Sequence, residues 1–194
     1  MAINTEIFQW IHAGAGTRPL VDFIAIFFAE SGPYIPAALF VILWFLVAKD
    51  KKIAMLEATE AAGVGLGINQ LVGLFYFQPR PFMIGLCRPL FPHVPENSFP
   101  SDHATLMFSI ALYLLLFRGW VSCGLVLLTA AILTAWGRIY VGIHFPLDMA
   151  GSFFIALVAA GLMSRLAGHF PEVNKKISQF IGRVCQSLLW KVRQ

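Results

Sequence analysis

The chain has 194 residues, of which 58% are hydrophobic and 12% are charged, and its mean hydropathy is +0.74. A soluble domain of this length cannot hide so much apolar surface from water, which excludes that class and favours an integral membrane protein. The net charge of +4 does not indicate nucleic-acid binding, because the basic residues lie mostly in polar breaks and form no stripe interleaved with aromatic residues. We predict an all-α fold with a single membrane-embedded domain over residues 1–194.

Apolar stretches approaching the roughly 20 residues of a spanning helix recur along the chain. Segment 20–29 is too short to cross alone, so it is predicted as an interfacial helix, a re-entrant piece or part of an extra tilted span. Transmembrane helices are predicted at residues 34–48 (extendable back towards 27), 53–77, 102–117, 120–136 and 145–166. A polar loop over 78–100 and a cationic amphipathic tail helix over 171–194 complete a polytopic bundle of five to six transmembrane helices with amphipathic terminal segments.

The distribution of lysine and arginine predicts how the bundle is oriented. If the basic break at 49–52 is cytoplasmic, alternation of the spans places ten of the 14 basic residues on that side, which agrees with the positive-inside rule. The opposite side receives Arg18, Arg80, Arg88 and Arg138. The loop 78–100, the start of the third span and the turn between the fourth and fifth spans all meet at this outer face.

Two of the outer arginines have the chemistry of a phosphate clamp. Arginine forks match the oxygens of a phosphate ester, so Arg80 and Arg138 are candidate phosphate ligands. Ser101 is a candidate N-cap of the third span, where free N–H groups form an anion site to which its hydroxyl adds a donor. Asp102 follows in the first turn and is included among the candidate phosphate-binding residues, with stabilisation of the helix dipole as its alternative role.

Two histidines on different helices supply candidate reactive groups. His144 lies four residues before Asp148, and Pro146 suits the first turn of a helix. Asp148 can therefore hold one ring nitrogen of His144 while the other nitrogen attacks phosphorus. His103 is then free to protonate the leaving oxygen. The alternative for His144 and Asp148 is a buried polar pair that only joins two helices.

The three segments 78–82, 98–103 and 138–148 resemble the signature of the type-2 phosphatidic acid phosphatase superfamily, K-x6-R-P, P-S-G-H and S-R-x5-H-x3-D. The P-S-D-H form at 100–103 is similar to the bacitracin-resistance type of undecaprenyl pyrophosphate phosphatase, an enzyme of cell-wall (peptidoglycan) biogenesis. The resemblance implies attack by His144 through a phosphohistidine intermediate and leaving-group protonation by His103. It also implies phosphate binding by Arg80, Ser101 and Arg138, no metal or other cofactor, and a bacterial cytoplasmic membrane.

Two positions depart from the family pattern. The family lysine seven positions before Arg80 falls at Gly73, and Gly137 stands where the third motif has serine. The missing lysine argues against ordinary monoester specificity. Arg88, in the loop, is a candidate replacement for part of the lost charge.

The expected function is dephosphorylation of undecaprenyl pyrophosphate at the outer face of the membrane. Phosphatidylglycerol phosphate, phosphatidate and lipid A are alternative substrates, because tail selectivity depends on the groove rather than on the catalytic residues. A divalent ion held by His103, His144 and Asp148 is less favoured, since the neighbouring arginines would repel it. A transporter is less favoured as well, because the chain shows no internal repeat and its polar cluster is predicted at one rim.

Overall fold

The computed structural model describes residues 2–169 and 171–192, with side chains over 2–169 and 171–184, and the regular elements there are helices. They are α1 (Ala2–His12), α2 (Pro19–Ser31), α3 (Tyr34–Trp44), α4 (Lys49–Phe75), a 3₁₀ turn in the next loop (Pro81–Ile84), α5 (Asp102–Leu112, continued by a π-helical turn, Tyr113–Phe117), α6 (Val121–Tyr140), α7 (Pro146–Ala167) and α8 (Pro171–Val192). The predicted all-α membrane bundle is confirmed. In the tail, α8 is helical as predicted, while the Lys191 side chain, Arg193 and Gln194 lie outside the described residues.

Helix length and composition identify which elements can cross a membrane. Within the described residues, α6 and α7 are long and apolar enough, and α2 and α3 qualify only together, as a broken span or a re-entrant pair that is bent by 69°. The apolar stretch Asp102–Phe117 is shorter. α4 has the length, at 27 residues, but Glu60, Asn69 and Gln70 lower its apolar character. Composition therefore supports two or three of the five to six predicted crossings, and the others stay predictions.

The first predicted span differs most from the structure. A continuous helix over 34–48, extended back towards residue 27, is wrong, because the chain bends between α2 and α3 at Gly32 and Pro33. Proline has no N–H to donate to the helical ladder, which explains a break at this point. At its other end the helix stops at Trp44, so the basic break at 49–52 is the first turn of α4 rather than a loop.

Close helix packing places α5 at the centre of the bundle, against α4, α6 and α7. Gly65 of α4 allows a close approach to α5, since a Cβ atom there would lie 2.9 Å from Ser109 Oγ and from Thr105 Cγ2. Gly63 and Gly67 of the same helix face open space instead. One face of α4 thus carries the contact that fixes α5.

A second polar cluster lies at the end of the bundle where α4 begins. The Glu57 carboxylate accepts a hydrogen bond from the Tyr113 hydroxyl at 3.0 Å and pairs with Arg118 Nε at 3.2 Å. The ammonium of Lys51 lies 5.0 Å from the centre of the Trp120 ring. These contacts join the first turns of α4 to the far end of α5. The N-terminus of α5 and the C-terminus of α4 therefore meet at the other end of the bundle.

Helix α1 supports the turn between α6 and α7. His12 Nδ1 lies 2.7 Å from the carbonyl oxygen of Tyr140, and the N–H of Leu147 donates to Asn4 Oδ1 at 3.1 Å. Gly142 makes the turn itself, with a φ of +91° that favours glycine. Residues near the two ends of α1 thus contact the chain on both sides of the turn.

Candidate active site

A cavity of about 400 Å³ opens at the end of the bundle where α4 ends and α5 begins. It lies between the α4–α5 loop, the N-terminus of α5 and the α6–α7 turn, the three places that the sequence predicted would meet. Its polar and charged lining residues are Asn69, Gln70, Arg80, His93, Glu96, Asn97, Asp102, His103, Arg138 and His144. Two further predicted residues, Ser101 and Asp148, are fully buried and stand outside this lining.

His144 lies in the α6–α7 turn, and its two ring nitrogens face different surroundings. The Nε2 atom is 3.1 Å from Arg80 Nη1 and 3.2 Å from Arg138 Nη2, while Nδ1 is 3.2 Å from Asp148 Oδ2. Burial lowers the pKa of His144 well below its usual value, and the two arginine charges act in the same direction. The imidazole is therefore neutral at pH 7. Because arginine has no acceptor, Nε2 presents its lone pair to the cationic side of the cavity.

The carboxylate of Asp148 gathers four contacts around His144. Its Oδ2 atom accepts the backbone N–H of Phe145 at 2.7 Å and the hydroxyl of Ser98 at 2.5 Å, beside its contact with His144. Its Oδ1 atom accepts Gln78 Nε2 at 3.1 Å. The bond to Phe145 also caps the first turn of α7, so one side chain both starts this helix and holds the imidazole. Ser98 and Gln78 were missed by sequence reasoning, although both lie in the segments that carry the motifs.

The two arginines are buried and only partly paired. Arg80 Nη1 donates to the carbonyl of Ile143 at 3.0 Å, and Arg138 Nη1 donates to the carbonyl of Ala29 at 2.8 Å. The Nε atoms of both arginines are buried and have no hydrogen-bond partner within the described part of the chain. A buried donor without an acceptor is costly, so these N–H groups favour an anion beside them. The cavity therefore has the charge and the free donors of a phosphate site.

The N-terminus of α5 forms another wall. Ser101 occupies the N-cap position, as predicted, but its hydroxyl makes no capping bond and is buried without a partner in the described residues. Its N–H donates to Ser152 Oγ at 2.9 Å. The exposed Asp102 carboxylate accepts Asn69 Nδ2 at 2.7 Å, and His103 is half-exposed on the cavity wall. Asn69, which sequence reasoning missed, thus ties α4 to the start of α5.

The α4–α5 loop contributes two ionisable residues that no motif indicated. Glu96 Oε1 lies 2.9 Å from Arg80 Nη2 and 3.9 Å from His93 Nε2. Burial lowers the pKa of His93 to about 4, with the charges of Arg80 and Arg138 acting in the same direction, so this ring is neutral at pH 7. Arg88 is exposed outside the cavity lining, so the structure gives no support to its replacing the family lysine.

The departures from the family motifs have local structural settings. Gly73 lines the cavity at the position of the family lysine, and a Cβ there would lie 3.6 Å from Asn97 Nδ2. A Cβ at Gly137 would lie only 2.7 Å from the carbonyl oxygen of Ala25 on α2. Serine at this position would force the two helices apart, which explains why this chain carries glycine there.

The arrangement suits attack on an anion by a nitrogen nucleophile. A neutral imidazole points at two guanidinium groups, a carboxylate holds its other nitrogen, and a second imidazole lies on the cavity wall. In the described residues, the His, Cys, Asp and Glu side chains form no group of three that could hold a metal ion. Independence from metal stays a prediction.

Known proteins include relatives of this chain. A family model described as the PAP2 superfamily matches residues 54–170. The chain is 30% identical over 190 residues to undecaprenyl-diphosphatase BcrC of Bacillus subtilis strain 168, covering 98% of this chain and 95% of that relative.

Two solved structures are similar in fold. The crystal structure of Aquifex aeolicus LpxE superposes with a TM-score of 0.71 at 28% identity, over 85% of this chain and 96% of that one. A PAP2 type phosphatidylglycerolphosphate phosphatase from Bacillus subtilis gives a TM-score of 0.63 at 20% identity, over 87% and 86% of the two chains, and supports the fold alone. The predicted enzyme class, a membrane lipid phosphatase, is confirmed. The chain belongs to the PAP2 superfamily.

Proposed function

We propose that the chain converts undecaprenyl pyrophosphate to undecaprenyl phosphate and inorganic phosphate at the outer face of a bacterial cytoplasmic membrane. Residues 1–194 act as one phosphatase domain in this proposal. The similarity to BcrC over nearly the whole of both chains supports the polyprenyl substrate. The separation of the cavity from the basic end of the bundle supports the outward orientation.

The position of His144 Nε2 is the observation that carries the proposal. This atom lies 3.1 Å and 3.2 Å from the two guanidinium groups that would bind a phosphate, and Asp148 engages the opposite nitrogen. A phosphate drawn to Arg80 and Arg138 would therefore bring its phosphorus beside the nucleophile. Holding reactants in this way replaces a bimolecular encounter with attack from a fixed position.

In the first step, the lone pair of His144 Nε2 attacks the terminal phosphorus. An N–P bond forms, and the bond from phosphorus to the bridging oxygen breaks with its electron pair moving to that oxygen. His103, protonated in the complex with the anionic pyrophosphate, donates that proton to the leaving undecaprenyl phosphate, and Asp148 stabilises the positive charge that develops on His144. In the second step, the oxygen of a water molecule attacks the phosphorus and forms an O–P bond while the water gives a proton to His103. The N–P bond breaks with its electron pair returning to Nε2, which releases inorganic phosphate and restores neutral His144.

The binding residues have separate roles in this scheme. Arg80 and Arg138 stabilise the charge that builds on the transferring phosphoryl group. The unpaired Ser101 hydroxyl and the first N–H groups of α5, with Asp102 in its first turn, supply further donors from the helix N-terminus. Because the Asp102 carboxylate is engaged by Asn69, we propose that Asp102 contributes through its backbone N–H.

Replacing the nucleophile tests the chemistry. We expect His144→Ala to abolish phosphate release while the protein stays folded, and we expect His169→Ala, at an exposed histidine outside the cavity, to retain full turnover. Substrate labelled with ³²P at its terminal phosphate should leave an acid-labile label on wild-type protein and none on His144→Ala. Full turnover by the folded His144→Ala variant would disprove the proposal.

A second candidate is action on another lipid phosphate, such as phosphatidylglycerol phosphate, phosphatidate or lipid A. The fold similarity to LpxE favours this alternative, because the same catalytic arrangement can serve different lipid tails. Purified protein in detergent should be assayed with and without a chelator on polyprenyl and diacyl substrates side by side. A kcat/KM at least tenfold higher for undecaprenyl pyrophosphate, unchanged by the chelator, is expected. The reverse preference would replace the proposed substrate.

A further inference from the structure

The Glu96 carboxylate accepts a hydrogen bond from the Arg80 guanidinium, the group that would bind a substrate phosphate. The guanidinium of Arg80 has its Nη2 on Glu96 at 2.9 Å and its Nη1 on the Ile143 carbonyl at 3.0 Å. The two partners differ sharply in exposure, since 4% of the Arg80 side chain and 60% of the Glu96 side chain are accessible. The arginine is therefore fixed, whereas the carboxylate reaches it from the open side of the cavity.

We propose that Glu96 is a tethered competitor of phosphate, whose carboxylate occupies Arg80 in the empty enzyme, leaves when a phosphate enters and returns when inorganic phosphate departs. This inference rests on the proposed function only in assigning Arg80 to phosphate binding. It assigns to this chain a residue that weakens the hold of the site on its product.

The loop geometry allows this exchange without unfolding. Asn97, the next residue, anchors the backbone, because its Oδ1 accepts the N–H of Gln78 at 2.9 Å and its Nδ2 donates to the carbonyl of Tyr76 at 2.9 Å. The Glu96 side chain can thus turn away from Arg80 while the backbone beside it stays in place. His93 does not compete as a cation, since its ring is neutral at pH 7 and lies 3.9 Å from the carboxylate.

Product release gives the exchange its purpose. Inorganic phosphate that leaves two buried arginines would expose Arg80 as an unpaired buried cation, which is costly. A carboxylate that takes its place lowers the free energy of the emptied site and so raises the dissociation constant of phosphate. Every ligand must displace the same carboxylate. The apparent affinity of a ligand is therefore its intrinsic affinity multiplied by the fraction of enzyme in which Arg80 is already free.

The test measures binding of inorganic phosphate rather than catalysis. Equilibrium dialysis of ³²P-labelled phosphate against His144→Ala protein in detergent avoids phosphorylation of the enzyme. We expect Glu96→Gln in this background to bind phosphate about two- to fivefold more tightly, the range typical of a partly exposed ion pair. Glu172→Gln is the matched control, because it removes an equally exposed carboxylate that pairs with Lys175 at 3.3 Å outside the cavity, and it should leave binding unchanged.

Unchanged or weaker binding in folded Glu96→Gln protein would overturn the inference, because Glu96 would then only hold Arg80 in position. Glu96→Asp retains the charge on a shorter side chain, so it should fall between wild type and Glu96→Gln, and it decides the matter if Glu96→Gln does not fold. The inhibition constant of phosphate against turnover should change in the same direction. Retained turnover in His144→Ala would instead contradict the proposed function. The dialysis result would still decide the role of Glu96, because it measures phosphate binding and not catalysis.

Discussion

Replacing Asp148 with asparagine separates the orienting role of this side chain from its role in the fold. The change keeps the size of the side chain and removes its charge. Three donors converge on Oδ2, from His144, Ser98 and Phe145, whereas Gln78 alone donates to Oδ1. We therefore expect the asparagine oxygen to take the Oδ2 position and its amide to face Gln78, which can turn its own carbonyl to accept.

The magnitudes follow from this arrangement. The hydrogen bonds from His144, Ser98 and Phe145 to this side chain persist but become weaker, so the free energy of unfolding should fall by only about 1–2 kcal/mol. Catalysis loses the negative charge that stabilises His144 as it becomes cationic in the transition state. We expect kcat/KM to fall by about 10²- to 10⁴-fold, which corresponds to about 3–5 kcal/mol in the barrier.

The assay compares single-turnover phosphate release with thermal unfolding in the same detergent. Gln78→Ala is the matched control, since it removes a donor to Asp148 on the side away from His144, and its activity should fall by about tenfold or less. If folded Asp148→Asn protein retained activity within threefold of wild type, the orienting role would be refuted. A loss equal to that of Gln78→Ala would refute it as well.

Three further predictions follow from other contacts. Gly137→Ser should lower stability by about 1–3 kcal/mol, seen as a lower melting temperature, because its Cβ would meet the Ala25 carbonyl, whereas Gly63→Ser faces open space and should melt like wild type. Because the pKa of His144 is lowered, the neutral nucleophile persists as pH falls, and kcat/KM should begin to decrease only below pH 6.5. A decrease that begins at or above pH 6.5, after correction for titration of the substrate, would contradict this. Arg88→Cys, on an otherwise cysteine-free chain, should react in intact cells with an impermeant thiol reagent, and reaction only after lysis would place the cavity on the inner side.

The sequence predicted the parts of the site that a fixed spacing along one helix or turn defines. Pro146 and Asp148 start α7, and the same carboxylate reaches His144 four residues earlier, so both the helix and the contact follow from local geometry. The prediction ended the fourth span at residue 136 and left Arg138 in the following turn, whereas α6 continues to Tyr140 and carries Arg138 in its last turn. Five of the seven predicted site residues line the cavity, Asp148 contacts one of them, His144, and Ser101 is buried next to Asp102 in the chain, although their catalytic roles stay proposals.

The residues that were missed make contacts between parts of the chain that are distant in sequence. Glu96 reaches Arg80 from 16 residues away through a loop, and Ser98 reaches Asp148 from 50 residues away, with α5 and α6 between them. No periodicity connects such positions, because the path of the loop or the packing of the helices decides whether they meet. The bend between α2 and α3 was missed because the apolar run was extended back through Pro33, although the polar Glu30 and Ser31 precede Gly32 and Pro33 there.

Because α1 and α2 contact the end of α6 and the turn that carries His144, an active protein needs these two helices as well as the motifs. The segment that matches the family model begins at residue 54. Residues before it nevertheless contact the site: the Ala29 carbonyl accepts a hydrogen bond from Arg138, and His12 and Asn4 contact residues on either side of His144. A chimaera that transfers only the matched segment, residues 54–170, to another bundle would carry every motif and lose these contacts. Exchange of activity between relatives therefore requires transfer of the amino-terminal helices together with the motifs.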